Sequence, residues 1–175
     1  MLRTLALLLL LLFAPLAAQE LYVMPYEAKP ALQRLLKSID RAHSRIDAAI
    51  YSFTHRAIAK RLKNAAARGV KVRIVFDRSA NLRNRKSQLG YLAKYRNVRC
   101  YTLSGLPYRS PDGDRALMHM KVMVIDRKLV VLGSANWTHS AFGKNYETLL
   151  FLRDYAVAKK MEKGLERMFR EAKPY

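Results

Sequence analysis

Apolar positions along the chain follow two spacings, and the changes between them mark its elements. Leu32, Leu35, Leu36 and Ile39 recur at three- and four-residue intervals after Pro30, the signature of a helix with one buried face over 31–42. Residues 46–53 are instead a continuous apolar, β-rich run and predict a strand. A helix over 57–68, stopped by Gly69, leads into a strand over 70–76. Leu21 to Met24 predicts an earlier strand, 88–95 a short helix and 98–103 a further strand. Strand, helix, strand, helix, strand places the chain in the α/β class, with a mostly parallel central sheet and helices on both faces.

Beyond residue 103 the pattern changes. Residues 104–116 carry Gly105, Pro107, Pro111 and Gly113 among polar and basic side chains and predict a long loop. Strands over 118–125 and 129–132, joined at Asp126-Arg127-Lys128, predict an antiparallel hairpin. A strand over 146–152 follows, then a closing helix over 155–172 with Val157, Met161, Leu165, Met168 and Phe169 on one side. Residues 19–175 are read as one domain. Residues 1–18 begin with a basic start at Arg3, run uncharged from Leu5 to Phe13 and finish in small residues. This is the layout of a secretory signal peptide, and the apolar run is short for a span of about 20 residues. Leu16 stands where a small residue favours cleavage after Ala18, so retention as a membrane anchor is the alternative. Either way the domain is expected to be exported: periplasmic, secreted or anchored facing the periplasm.

Charge narrows the partners. Lys and Arg number 33 against 13 Asp and Glu, a formal net charge of +20, which draws polyanions by Coulomb attraction and counterion release. Nucleic acid or an anionic membrane surface is the expected partner. Cys100 is the single cysteine, which excludes an internal disulfide and a cysteine-based zinc site.

The chemistry concentrates in one stretch. His119-Met120-Lys121 is followed after four residues by Asp126, and after six more by Gly133-Ser134-Ala135-Asn136. On a strand, residues two apart share a face, so His119 and Lys121 are expected to project together. Phosphoryl transfer needs a nucleophile, donors for the non-bridging oxygens and an acid for the leaving alcohol. Imidazole can supply the first, and Lys121 with Asn136 the second. No His, Asp or Cys cluster with metal-ligand spacing occurs, so neither metal nor cofactor is expected.

This spacing resembles the HKD signature of the phospholipase D superfamily, without departure at the motif positions. Within it the chain is similar to small bacterial exported endonucleases, through Tyr51-Ser52-Phe53-Thr54, Arg68-Gly69-Val70 and Asn145-Tyr146-Glu147. The resemblance implies an α/β sandwich with a mixed sheet and a metal-independent phosphodiesterase. His119 would attack phosphorus to form a phosphohistidine, Lys121 and Asn136 would hold phosphate oxygens, and Ser134 would support that pocket. Glu147 would accept a hydrogen bond from His119, and Asp126 would orient the strands. Members with two motif copies build one site from both. A single copy implies a homodimer in which the second His119 is the general acid, with His43, His55 and His139 as the other candidates.

Substrate is left to composition. Arg83, Arg85 and Lys86, with Arg109 and Arg115 in the long loop, are expected to track a phosphate backbone. Tyr91, Tyr95, Tyr101 and Tyr108 could stack on bases or lie in the core. The reading is a non-specific endonuclease, DNA favoured and single strands among its candidates. The alternatives are a phospholipase D or cardiolipin hydrolase at the membrane, and an exported DNA-binding protein without catalysis.

Overall fold

The structure, a computed structural model, describes residues 18–107, 110, 113 and 115–175. The proposed signal or anchor therefore lies outside the described residues, except that Ala18 already pairs with Arg153 in the first strand. In chain order the elements are β1 (Ala18–Met24), α1 (Ala28–Asp40), β2 (Arg45–Ile50), α2 (Arg56–Ala67), β3 (Lys71–Asp77), α3 (Arg78–Asn81), α4 (Leu89–Leu92) and β4 (Val98–Leu103). They continue with β5 (Lys121–Ile125), β6 (Leu129–Gly133), β7 (Glu147–Arg153), α5 (Tyr155–Glu171) and β8 (Lys173–Pro174).

The strands form one mixed sheet in the order β1-β7-β6-β5-β2-β3-β4-β8. The α/β class and the mixed sheet agree with the sequence reading, but the predominance of parallel pairs does not. Only β2 with β3 and β3 with β4 run parallel. The other neighbours are antiparallel: β5 and β6 are joined by a tight turn, β6 and β7 by a longer segment, and the rest pair strands distant in sequence. Several boundaries move as well: the helix expected over 88–95 shortens to Leu89–Leu92, the strand expected over 46–53 ends at Ile50, and the strand expected over 118–125 begins only at Lys121.

Helices cover both faces. α1 and α2 bury Leu35, Ile39, Ile58 and Leu62 with Ile46, Ala48, Ile50 and Ile74 of the sheet. α5 buries Ala158, Leu165 and Phe169 against Ala49, Val75, Val122, Val124 and Val130. The alternation of strand residues between these clusters is the period of two that a pleated strand imposes. α5 is also pinned electrostatically. Buried Asp47 of β2 accepts from Arg73 at 2.7 Å and 2.9 Å, and Arg73 reaches Glu166 of α5. The Asp47 hydrogen bonds raise the Arg73 pKa further above its ordinary value, with Glu166 adding to them. Cys100 is buried in β4, and burial pushes its thiol up to about 12.

A candidate phosphodiester site at one edge of the sheet

The parallel strands β2 and β3 end at Ile50 and Asp77, while antiparallel β5 and β7 begin at Lys121 and Glu147. Ile50 pairs with Lys121 and Gly133 with Leu149, so these strand ends fall on the same edge. In open α/β sheets the carboxyl ends of parallel strands are where ligands bind. His119, Lys121, Ser134, Asn136 and Glu147 all meet here.

His119 stands two residues before β5 rather than on it, and is exposed. The same-strand argument for its facing with Lys121 therefore fails, and a different device brings them together. Lys121 is buried, and its ammonium turns back to donate to the His119 carbonyl at 2.8 Å. The Tyr51 ring lies 4.6 Å from the His119 ring, and the Lys121 Nζ stands 4.9 Å from the Tyr51 ring. Burial lowers the Lys121 pKa, while the charges of Glu147 and Asp77 oppose that loss. A partly desolvated cation near an exposed imidazole is suited to gripping a phosphate oxygen.

Asn136 is fixed by the Ser52 N–H, which donates to its Oδ1 at 3.2 Å. Phe53 and Trp137 bridge in parallel alongside, and Trp137 packs edge-on to Phe53. The preceding Gly133 has a steric reason. A Cβ there would stand 2.1 Å from the Thr148 carbonyl oxygen, so only glycine lets β6 approach β7 before Ser134.

Glu147 departs from the expectation drawn for it. Its carboxylate accepts a hydrogen bond from the Ser134 hydroxyl and another from Asn145 at 3.3 Å, and none joins it to His119 among the described residues. Ser134 in turn accepts the Thr148 N–H at 3.0 Å. The β6–β7 pairing sets Ser134 beside Glu147, which places its hydroxyl within reach of the carboxylate.

Asp126 lies at the other end of β5, in the β5–β6 turn, where it and Arg127 have φ of 51° and 59°. Its carboxylate accepts from the backbone of His43, Ser44 and Arg45 and from the Ser44 hydroxyl. Burial alone would raise its pKa, but these donors outweigh it and hold the group below its ordinary value. The geometry is that of a strand-orienting residue.

Sequence reading missed three residues that build the site. Buried Asp77 accepts the Met118 N–H at 3.0 Å, fixing the backbone next to His119, and is itself held by Ser79 and Ala80. Buried Asn81 donates to the Tyr51 carbonyl at 2.6 Å and accepts the Phe53 N–H at 3.3 Å. Tyr51 then contacts both His119 and Lys121. Asp77 could have been found from its place at the end of an apolar parallel strand, and Tyr51 from the Tyr51-Ser52-Phe53-Thr54 segment that carries the resemblance; for Asn81 no such signal exists.

The remaining histidines and cations distribute unevenly. His43 is exposed beside Asp126, away from the site edge. His55 is buried and stacks on exposed His139 at 4.1 Å. Burial, reinforced by the charge of His139, pushes the His55 pKa down to about 4. Arg83 and Arg115 line a cavity of about 550 Å³ with Asp77 and Ser104. Arg85 and Lys86 line a different one, of about 370 Å³, with Thr54, Arg56 and His139. Arg109 and Tyr108 lie outside the described residues. Tyr91 is exposed, whereas Tyr95 and Tyr101 pack partly against the core. Among the described residues no three His, Cys, Asp or Glu side chains gather as metal ligands would, and no helix is long and apolar enough to cross a membrane.

Comparison with known proteins agrees with this fold. The structure of NucT from Helicobacter pylori superposes with a TM-score of 0.87 at 39% identity, covering 91% of this chain and 100% of that one. Nuc from Salmonella typhimurium, a phospholipase D family member, gives 0.78 at 28% identity, covering 91% and 99%. The mitochondrial cardiolipin hydrolase of Mus musculus is 29% identical over 147 residues, covering 84% of this chain but only 62% of its own length. The chain thus spans less than two thirds of the length of that curated relative. A family model described as "Cardiolipin synthase, PLD-like domain" matches residues 35–169. With that match over most of its length, the chain belongs to the phospholipase D-like family.

Proposed function

We propose that the chain is a metal-independent phosphodiesterase that cleaves nucleic acid, DNA foremost, through a covalent intermediate on His119. The observation that carries the reading is the meeting of exposed His119, buried Lys121 and anchored Asn136 at one sheet edge. An imidazole nitrogen of His119 attacks phosphorus, the P–N bond forms and the P–O bond to the leaving alcohol breaks. Lys121 and Asn136 hold the non-bridging oxygens as charge builds on them. The leaving oxygen takes its proton from His119 of the partner subunit in a homodimer. Water then attacks phosphorus, loses a proton to that same imidazole and frees His119. Ser134 and Glu147 form a hydrogen-bonded pair that borders the pocket, and Asp126 orients the strands. Residues 1–18 direct the chain out of the cytoplasm, as signal or as anchor.

Support for nucleic acid comes from the net charge of +20 and from the fit to NucT and Nuc over almost their whole length. A second reading, hydrolysis of cardiolipin, is favoured by the relatives that carry that name. Cleavage of labelled single-stranded DNA, duplex DNA and RNA in excess chelator, beside cardiolipin vesicles, separates the two. The expected result is degradation of nucleic acid by the wild type and none by His119→Ala. Turnover of cardiolipin alone would overturn the nuclease reading.

A further inference from the structure

Two cavities adjoin beside the site and carry cations that have no ion-pair partner among the described residues. The first, about 370 Å³, lies between Thr54, Arg56, Arg85, Lys86 and His139. The second, about 620 Å³, shares Arg56 and Arg85 with it and extends past Lys60 and Lys94 to Tyr91 and Tyr175. No Asp or Glu lines either one among the described residues. A further cavity also holds cations without an ion pair among the described residues, Lys71, Arg96 and Arg99, but it lies where β3 and β4 begin, at the end of the sheet away from the site, and its Arg45 and Arg73 are bound to Asp47 and Glu166. Arg83 and Arg115 share theirs with Asp77. By contrast, Arg56, Lys60, Arg85, Lys86 and Lys94 form no ion pair among the described residues.

The placement is specific. Thr54 and His139 each follow by three residues a residue of the site, Tyr51 and Asn136, and the two segments run side by side through the Phe53–Trp137 bridge. Three residues span at most about 10 Å even when fully extended, so the groove starts within about 10 Å of Asn136. α2 begins at Arg56, where the cavities join, with no side-chain cap and no acid in its first turn, so its dipole adds to the positive field. At the far end Tyr91 and Tyr175 are exposed, with the Tyr175 hydroxyl against Gly90. A row of free cations ending in exposed rings matches a polymer of phosphates and bases.

We propose that this groove is an exosite for the stretch of nucleic acid flanking the scissile phosphate. It binds that stretch through its phosphates on Arg56, Lys60, Arg85, Lys86 and Lys94, and through a base against Tyr91. The exosite rests on the nuclease reading and deepens it: it sets affinity and minimum substrate length, while chemistry stays at His119. A diester too small to reach beyond Thr54 gains nothing from the groove.

The test compares Lys60→Glu/Lys94→Glu with the wild-type full chain and with Lys60→Arg/Lys94→Arg, all as folded dimers. The substrates are a single-stranded 30-mer and bis(p-nitrophenyl) phosphate. For the 30-mer the charge-reversed variant is expected to raise KM about tenfold with kcat unchanged, and to lower the salt slope of log affinity by about 1.4, as loss of two phosphate contacts on a single strand requires. Hydrolysis of bis(p-nitrophenyl) phosphate is expected to stay within about twofold, and the Arg variant to behave as wild type. An unchanged KM for the 30-mer would overturn the exosite and leave the nuclease reading standing, as would equal losses on both substrates. If the wild type hydrolyses the small diester but no oligonucleotide, the nuclease reading fails first and the exosite with it. Loss of binding to cardiolipin vesicles with oligonucleotide affinity intact would assign the groove to a lipid surface and overturn the proposal.

Discussion

At one end of β5 stand His119 and Lys121, and at the other stands Asp126, all within a single eight-residue stretch. Asp126 is saturated: four donors from the β2 approach converge on one carboxylate. The opposite end is left unfinished. His119 is exposed with a ring neighbour in Tyr51, and Lys121 is partly desolvated with, among the described residues, only the His119 carbonyl as hydrogen-bond acceptor. A satisfied group stabilises the fold and has nothing left to offer a substrate. An unsatisfied one costs stability and keeps its capacity for a ligand. One contiguous motif therefore divides into an architectural end and a chemical end.

The sharpest way to break that contrast is to remove each end separately. His119→Ala is expected to lower kcat at least about 10⁴-fold, as loss of a covalent nucleophile does, with a urea midpoint close to wild type because the side chain is exposed. A large loss of stability would show that His119 is architectural after all.

The next effect concerns His55. Its folded pKa lies below its ordinary value, so it favours the native state above about pH 6.5 and loses that contribution as pH falls toward about 4. Thermal melts between pH 7 and 4 are expected to cost the wild type about 3 kcal/mol more than His55→Phe. Parallel pH profiles for the two proteins would show that His55 is solvated.

Asp126→Ala is expected to destabilise by about 2 kcal/mol at pH 7, since three backbone N–H groups lose their acceptor, while kcat per folded molecule stays within about fivefold. Because its pKa is depressed in the native state, this contribution is present above the ordinary carboxylate pKa and disappears as pH falls through the lower folded value. The gap between the two urea midpoints should therefore close in acid. A selective loss of kcat without loss of stability would move Asp126 to the chemical end.

Tyr51→Leu gives the smallest effect. It removes the ring that touches both His119 and Lys121, and a fall of about tenfold in kcat/KM with little change in stability is expected from misplacing the nucleophile. Steady-state kinetics on bis(p-nitrophenyl) phosphate would register it, and wild-type kinetics would show that Lys121 alone holds the loop.

How much of this was legible in the sequence depends on the range of the interaction. Helices and strands whose apolar period was clean, such as 31–42 and 155–172, were placed within a few residues, since period reports burial directly. The proportion of parallel strands was misjudged because nothing local states how 104–116 returns the chain beside β2. The motif fixed which side chains would meet. It did not reveal that His119 precedes the strand or that Ser134 takes the Glu147 oxygen, because both follow from the β5–β2 and β6–β7 registers. The partners of Asp77 and Asn81 were invisible for the same reason, lying 41 and 28 residues away.

The most direct test of the account is a covalent one. The full chain is mixed with excess single-stranded oligonucleotide in chelator, quenched within milliseconds in alkaline detergent and digested for mass spectrometry, since the P–N bond survives base. The account predicts a nucleotide adduct on the peptide containing His119, formed no slower than product and absent from His119→Ala. Cleavage at the wild-type rate with no adduct, or an adduct on His139 or His55 instead, would contradict it.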